Sequence, residues 1–320
     1  MTRLPGPEDA GLLAVDIDDD LKPLGIGKAL LGECPTWWPG SGQVRWVDIR
    51  SKEIWSVGLA ERRVRKWTVP GLAIGISATD RDRMLLALPA QISVLDEETG
   101  QLIPLATAPD PRAEMRFNEL KCDPRGRVWI GHMNDVTRAP AEGHLFRIDG
   151  PACTALVGNV AVPNSLAWSP DGSVMYFADG RDAVIWSFDF DADSGTVRNR
   201  RIFATLPTGR GIPDGAAVDA EGFLWSANYG GWAITRYTPA GAVDRVIEMP
   251  VSQPTSCTFA GDDLDVLVAT SASQRLSDEQ LSREPLAGEV FAMRVPVTGL
   301  APVPAAEGPF ADSLSPLRGE

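Results

Sequence analysis

Residues 118–130 read NELKCDPRGRVWI, and this stretch holds three parts in a fixed order. The polar Asn118 lies five positions ahead of the turn Asp123-Pro124-Arg125-Gly126, and the turn leads into the apolar strand Val128-Trp129-Ile130. We call the position of Asn118, ahead of its turn, the slot. The same order recurs in four other places, where the slot is occupied by Glu33, Asn164, Asp214 and Ser256. A sixth copy places Ile74 in the slot.

The spacing of these copies predicts the architecture. The apolar strands after the turns begin about 40 to 50 residues apart, which is the length of a propeller blade of four short strands. Alternating segments such as 53–57 and 144–148 lie between them and are typical of a third strand. A β-sandwich with regular turns is the alternative, but a sandwich does not require one slot to recur at a fixed spacing. The sequence therefore predicts an all-β, six-bladed β-propeller.

Length and composition agree with one large all-β domain. The chain has 320 residues, 44% of them hydrophobic, with 31 Gly and 26 Pro for the many turns of such a fold. We expect an N-terminal extension over 1–20 that is partly disordered, a propeller over 21–310 and a C-terminal tail over 311–320. The segment 288–295 is predicted to complete a blade with the N-terminal segment, which would close the ring and remove a sheet edge.

Charge and hydropathy restrict the partners. The net charge of −13 argues against nucleic acid, because binding there depends on Lys and Arg neutralising phosphates. The sequence has no apolar run of signal-peptide or transmembrane length, so we expect a cytoplasmic protein that does not bind membranes. Cys34, Cys122, Cys153 and Cys257 are not closely paired in sequence, which favours free, packed thiols over zinc ligation. The oligomeric state is not indicated.

Four of the slots carry side chains with oxygen atoms. Glu33, Asn118, Asn164 and Asp214 would converge on the propeller axis, where two carboxylates balance a divalent charge and two amides add neutral ligands. This set suits Ca²⁺, which we favour, or Mg²⁺ and Mn²⁺, and Zn²⁺ also accepts carboxylate oxygen. Each residue taken alone could instead cap a turn. Their alignment in four blades favours one divalent metal cation.

The two histidines do not indicate serine chemistry. A Ser-His-Asp triad needs a histidine placed against a nucleophile, and His144 lies in an alternating strand without a nucleophile-elbow motif. Nucleophilic serine catalysis is therefore not predicted.

Short runs around the slots follow a shared pattern. They are LGECP at 31–35, WVDI at 46–49, RFNELK at 116–121, PNSLAW at 163–168, IPDG at 212–215 and PTSC at 254–257. Together they resemble the gluconolactonase family, also called the senescence marker protein 30 or regucalcin family, over about residues 24–310. The resemblance implies a six-bladed propeller that hydrolyses sugar lactones at one divalent metal in its central channel. It also implies Glu33, Asn164 and Asp214 as metal ligands, Arg116 and Asn118 as substrate-binding groups, and Asp214 as general base.

Several residues depart from the family pattern. Leu120, Ser165 and Glu289 stand where glycine is common, and His132 stands where threonine is common. His132 could donate a hydrogen bond to a substrate oxygen, so it is a substrate-binding candidate, or it could simply pack at the rim. These departures leave the identity of the lactone open.

Other functions remain open from the residues. The propeller could bind metal without catalysis, or it could be a related propeller esterase or organophosphate hydrolase. Arg116 favours catalysis, because a purely structural metal site needs no group that holds a substrate. We therefore predict a hydrolase that opens a cyclic ester, with a small sugar lactone such as an aldonolactone as its partner and the hydroxy acid as its product.

Overall fold

The computed structural model describes residues 2–12, 16–139 and 142–314. Within these residues the strands form six antiparallel sheets, which are the blades of a propeller. The chain begins with β1 (Thr2–Arg3), β2 (Glu8–Leu12) and β3 (Lys22–Pro23). No helix in this part of the chain is long and apolar enough to cross a membrane.

The remaining strands follow blade by blade. Blade one has β4 (Gly32–Trp38), β5 (Gln43–Asp48), β6 (Glu53–Gly58) and β7 (Arg63–Thr68). Blade two has β8 (Gly75–Ala78), β9 (Met84–Leu88), β10 (Gln91–Asp96) and β11 (Gln101–Thr107). Blade three has β12 (Met115–Cys122), β13 (Val128–Asn134), β14 (His144–Asp149) and β15 (Ala152–Gly158). Blade four has β16 (Pro163–Trp168), β17 (Val174–Asp179), β18 (Val184–Asp191) and β19 (Thr196–Thr205).

Blades five and six complete the ring. Blade five has β20 (Ile212–Val218), β21 (Leu224–Tyr229), β22 (Ala233–Tyr237) and β23 (Val243–Glu248). Blade six has β24 (Pro254–Ala260), β25 (Val266–Ser271) and β26 (Phe291–Arg294). The short helix α1 (Asp278–Arg283) lies between β25 and β26, and a 3₁₀ turn (Gly308–Phe310) follows near the C-terminus.

The first strands of the blades surround the central channel. β4, β8, β12, β16, β20 and β24 each contact the first strands of both neighbouring blades, so they form a closed cycle. The six-bladed propeller predicted from the turn spacing is therefore confirmed. The slot residues lie on these inner strands, which places them around one axis.

The hydrophobic core lies within and between the blades. Its largest fully buried side chains include Trp38, Trp129, Trp225, Phe117 and Phe177. Every residue of β16 and β24 is buried, although both strands contain polar side chains. Because buried polar groups need partners, the slots are positions where the fold must supply them.

The N-terminal residues complete blade six. β3 pairs with β26 as the fourth strand of that blade, which confirms the predicted pairing of the 288–295 segment with the N-terminal segment. β1 pairs with β11 and β2 pairs with β7, at the outer edges of blades two and one. In the predicted C-terminal tail, Leu314 is buried and residues 315–320 lie outside the described residues.

The residues after β26 cross the channel at the end where the inner strands finish. Leu300 donates its amide to the carbonyl of Val218 in blade five, and Ala305 donates to Ala78 in blade two. A cavity of about 270 Å³ lies between this segment and the inner strands. The slots are therefore nearer to the opposite end, at which the inner strands begin.

Buried aspartates accept side-chain hydrogen bonds at the turns of blades three and five. Asp219, which is 0% exposed, accepts hydrogen bonds from Trp225 Nε1 at 2.9 Å and from Arg236 Nε at 2.9 Å. Asp123 accepts the matching bond from Trp129 Nε1 at 3.0 Å. A carboxylate tolerates such burial only when donors match its charge.

Replacing Asp219 by Ala should lower the free energy of unfolding by about 3 kcal/mol, because the buried guanidinium of Arg236 loses its best-shielded partner. Urea unfolding followed by tryptophan fluorescence measures this. The control is Asp244→Ala, which removes a more exposed partner of the same arginine, 2.8 Å from Nη1. The control should lose at most about 1 kcal/mol. Equal losses in both variants would contradict the role given to Asp219.

Candidate active site

Five of the six slots lie at a bulge in an inner strand, and the exception is Ile74, which precedes the regular strand β8. The pairing with the second strand shifts register at Glu33/Thr36 in β4, Asn118/Leu120 in β12, Asn164/Ala167 in β16, Pro213/Ala216 in β20 and Pro254/Ser256 in β24. A bulge leaves a residue outside the ladder and re-aims its side chain. The residues after three slots have positive φ, namely Cys34 at 51°, Glu119 at 50° and Ser165 at 53°. The backbone distortion is therefore a repeated feature of the slot.

Hydrogen bonds between blades tie the slots together. Asn118 Nδ2 donates to the Pro163 carbonyl at 2.7 Å and to Asn164 Oδ1 at 3.0 Å. Asn164 Nδ2 donates in turn to the Pro213 carbonyl at 3.3 Å. In both cases the slot side chain bonds to the carbonyl just before the next slot, so these bonds hold three neighbouring blades at one level.

In blade six the slot residue is Thr255, and the sequence-based assignment to Ser256 is wrong by one position. Thr255 Oγ1 donates to the Gly32 carbonyl at 2.5 Å, which is the carbonyl just before the slot of blade one. Ser256 instead lies against Gly215, where an added Cβ would overlap its side chain. Counting back from the turn failed because β24 extends one residue further past its slot than β12, β16 and β20 do.

Glu33 and Asp214 differ from the other slot residues because an ionised carboxylate cannot donate a hydrogen bond. Burial raises the pKa of Glu33 well above its usual value, and the negative charges of Asp214 and Glu119 raise it further. Burial raises the pKa of Asp214 in the same way, together with the charge of Glu119. Buried Asp214 and half-buried Glu33 and Glu119 therefore act on one another through their charges, and a bound cation would relieve their repulsion.

Glu119 is the member of this group that the sequence analysis missed. Its Oε1 accepts a hydrogen bond from the Leu166 amide of blade four at 3.2 Å. Burial raises its pKa to about 7, although the charge of Lys121 acts in the opposite direction. Its place directly after a slot is the signal that could have identified it, because Ser165 also follows a slot and bonds to the next blade.

Arg116 is fixed beside the slots. Its Nη1 donates to Asn118 Oδ1 at 2.6 Å, and its Nε lies 2.9 Å from Asp135 Oδ1. Burial acts to raise the pKa of Asp135, but hydrogen bonds from Arg50 and the charge of Arg116 lower it below its usual value. The ionised Asp135 therefore holds the guanidinium of Arg116, a residue that is only 5% exposed.

His132 lies between aromatic rings. Its ring centroid is 5.5 Å from that of Phe117 and 5.8 Å from that of Phe146, and the residue is 1% exposed. Burial lowers its pKa, which favours the neutral imidazole. These are packing contacts, and a contact between His132 and substrate stays a prediction.

The other three residues that depart from the family pattern each make a defined contact in the structure. Ser165 keeps the left-handed backbone that glycine adopts readily, and its hydroxyl donates to the Asp214 carbonyl at 2.6 Å. Leu120 is buried against Gly75 of blade two. Glu289 lies at the ring closure, where its carboxyl accepts a hydrogen bond from the Gly25 amide. Ser165 therefore adds a bond between blades four and five.

The predicted ligand set offers oxygen atoms only. Among the described residues, no three His, Cys, Asp or Glu side chains form a cluster that could hold a metal ion. The set proposed from the sequence includes an amide, and the hydrogen bond from Asn164 Nδ2 to Pro213 fixes which end of that amide carries oxygen. Two carboxylates and an amide oxygen suit a hard divalent cation. The residues present therefore fit such an ion.

Comparison with known proteins decides the family. The family model of the SMP-30/gluconolactonase/LRE-like region matches residues 31–273. The chain belongs to this family. The family membership predicted from the sequence is therefore confirmed.

Similar members of the SMP-30/gluconolactonase family include two lactonases and one solved structure. A 6-deoxy-6-sulfogluconolactonase of Pseudomonas putida is 35% identical over 277 residues, covering 85% of this chain and 94% of that protein. An L-arabinolactonase of Azospirillum brasilense is 33% identical over 275 residues, covering 85% and 90%. The crystal structure of regucalcin, a calcium-binding protein of Agrobacterium tumefaciens, has a TM-score of 0.85 and 29% identity, covering 90% of this chain and 98% of that one.

In this SMP-30/gluconolactonase member five of the predicted site residues fall into two groups. Arg116, Asn118 and Asn164 are joined by direct hydrogen bonds. Glu33 and Asp214 interact through their charges, and Arg116 acts on the pKa of both. These five residues form one site.

Replacing Glu119 by Gln keeps an oxygen acceptor for the Leu166 amide and removes the buried charge. The folded-state pKa of Glu119 is raised, so metal-free wild type loses stability as pH rises from about 4.5 through about 7. A shift of this size corresponds to roughly 3 kcal/mol. We therefore compare the melting temperatures of chelated variant and chelated wild type at pH 5 and at pH 8. The melting temperature of the variant relative to that of wild type should be higher at pH 8 than at pH 5.

Glu98→Gln, at an exposed turn, is the control for this measurement and should show no pH-dependent gain. If the difference in melting temperature between Glu119→Gln and wild type is the same at pH 5 and pH 8, the raised pKa of Glu119 is contradicted.

Proposed function

We propose that the protein hydrolyses a sugar lactone to its hydroxy acid with the help of a bound divalent cation. The main support is that the buried carboxylates of Glu33 and Asp214 lie within the electrostatic reach of one fixed guanidinium, that of Arg116. Anionic ligands for a cation and a cationic group for substrate oxygens are thus combined in one site. The relatives named as sugar lactonases support the substrate class, and the neighbour named as a calcium-binding protein supports the ion.

Glu33, Asn164 and Asp214 are the proposed ligands. Ca²⁺ is the favoured ion for oxygen ligands on a bulged backbone, and Mg²⁺, Mn²⁺ and Zn²⁺ are the alternatives. When bound, such a cation polarises a lactone carbonyl and stabilises the negative charge that develops on its oxygen.

The protein's own side chains orient the substrate and move the proton. Asp214 takes the proton of the attacking water as general base, because its carboxylate lies beside the proposed cation, where the lactone carbonyl would be held. Arg116 donates hydrogen bonds to substrate oxygens, and its ion pair with Asp135 keeps it from moving. Asn118 is held by its bond to the Pro163 carbonyl, so its Oδ1 can accept a hydrogen bond from a substrate hydroxyl without reorganisation.

Exhaustive chelation should abolish lactone hydrolysis and lower the melting temperature, because an ion bound only to the folded state stabilises that state. Adding back a divalent ion should restore both. Acid release in a pH-indicator assay follows the activity, and elemental analysis confirms that metal is removed. Full activity in demonstrably metal-free protein would overturn the cation-dependent function.

Replacing Asp214 by Asn should lower kcat by at least about a hundredfold, because the variant keeps a ligand oxygen but loses the proton acceptor. The measurement is kcat at saturating metal, with bound metal quantified in the same samples. Asp171→Asn, at the exposed turn of blade four, is the matched control and should stay within about threefold of wild type. If fully metal-loaded Asp214→Asn also stays in that range, another group must accept the proton.

A further inference from the structure

Arg50 connects three blades at the end of the channel where the inner strands begin. Its Nη1 and Nη2 donate to Asp135 Oδ2 and Oδ1 at 2.7 and 2.9 Å, and its Nε donates to Gln274 Oε1 at 3.3 Å. Gln274 also forms a hydrogen bond with Tyr229 of blade five. Since Asp135 pairs with Arg116, the loops after β5, β13 and β25 and the end of β21 meet beside the candidate active site.

Two further arginines extend from these loops. Arg138 lies three residues after Asp135, in a turn closed by its amide bond to the Asn134 carbonyl at 3.0 Å, and Arg275 directly follows Gln274. Arg138 is half-buried and Arg275 is exposed. Burial lowers the pKa of Arg138, and the like charges of Arg275 and Arg116 lower it further. The chain neighbours of these two loop arginines, Asp135 and Gln274, both contact Arg50, so the two arginines lie on adjoining loops.

The carboxylates near these arginines already have other partners. Asp135 is shared by Arg50 and Arg116, and Asp214 is a proposed cation ligand. Within residues 2–12, 16–139 and 142–314, no Asp or Glu forms an ion pair with Arg138 or Arg275. The mouth of the channel is therefore positive in a chain whose net charge is −13. A half-buried guanidinium without a counter-ion is unfavourable, and an anion supplied by a ligand would remove this cost.

We propose that the substrate is a sugar lactone that carries an anionic substituent, a carboxylate or a sulfonate, away from its ring carbonyl, and that Arg138 and Arg275 bind this substituent. The proposal rests on the lactonase function and names the class of its substrate. Guanidinium groups form paired, charge-assisted hydrogen bonds with such oxyanions. The reaction is unchanged: water adds to the carbonyl carbon, the ring C–O bond breaks, and the proton from water ends on the released hydroxyl.

The test compares two lactones that differ at one position, a neutral aldonolactone and the aldaric acid lactone in which a carboxylate replaces the terminal hydroxymethyl group. For metal-loaded wild type, kcat/KM should be at least about tenfold higher for the anionic lactone. A matched sulfonate lactone as a third substrate shows which anion is preferred. Added salt should reduce the preference, because Arg275 is exposed.

The double variant Arg138→Gln/Arg275→Gln should lose this preference, while its kcat/KM for the neutral lactone stays within about threefold of wild type. The single variant Arg275→Gln, at an exposed position, should lose part of it and guards against misfolding of the double variant. Arg245→Gln, on the exposed outer strand β23, removes the same charge far from the channel and should keep the full preference. Equal kcat/KM for charged and neutral lactones in wild type, or an equal loss for both in the double variant, would overturn the proposal.

A binding measurement separates this proposal from the lactonase function. If wild type hydrolyses no lactone, calorimetry with an unreactive pair, tetrahydropyran-2-carboxylate and tetrahydropyran-2-methanol, still decides the anion site. Tighter binding of the carboxylate in wild type, lost in the double variant, supports the roles of Arg138 and Arg275 even though the lactonase function has failed. Equal binding of the two compounds would overturn those roles.

Discussion

A bulge in five of the six inner strands determines what lies at the centre of this propeller. The bulge leaves one residue outside the β ladder, and the side chain of that residue can then form a hydrogen bond with the next blade. Asn118, Asn164 and Thr255 find that partner in the backbone carbonyl before the next slot. Since buried polar groups must be paired, these bonds both hold the blades at one level and limit which residues each slot can accept.

Glu33 and Asp214 cannot contribute such a bond when ionised, and the proposed cation site lies where the ring of donors is interrupted. Asp219 differs from them, because its fully buried carboxylate accepts hydrogen bonds from Trp225 and Arg236. Asp219 stabilises the fold, whereas Glu33 and Asp214 lie beside Glu119 with unmatched negative charge. Active sites commonly carry unfavourable electrostatics of this kind, which a bound ion or substrate relieves.

Charge also changes sign along the channel axis. The slots are negative, whereas the mouth is positive, because Asp135 already serves Arg50 and Arg116, and Arg138 and Arg275 have no acidic partner in the described part of the chain. A ligand with a carbonyl oxygen at one end and an anion at the other would match this arrangement. The cation at the slots would then bind one end of the ligand, and the arginines at the mouth would bind the other.

Local sequence determined the blades, the family and most of the slots. A strand needs only its alternation and its turn, and both lie within a few neighbouring residues, so the repeat of Asn118, its turn and the strand after it could be read directly. The sequence also indicated Glu33, Arg116, Asn164 and Asp214 through the motifs of the family. The division of roles between metal ligand and proton acceptor is proposed from side-chain chemistry, because a carboxylate can serve as either.

Only the tertiary structure decided the rest. Thr255 replaced Ser256 in its slot because a bulge shifts the register by an amount that a count from the turn does not show. Glu119 became part of the site because its left-handed backbone directs it to Leu166 in the next blade. Arg50 reaches Asp135 and Gln274 across 85 and 224 residues of chain. Contacts at such separations depend on the closure of the ring, and no local pattern of residues encodes where three loops from different blades will meet.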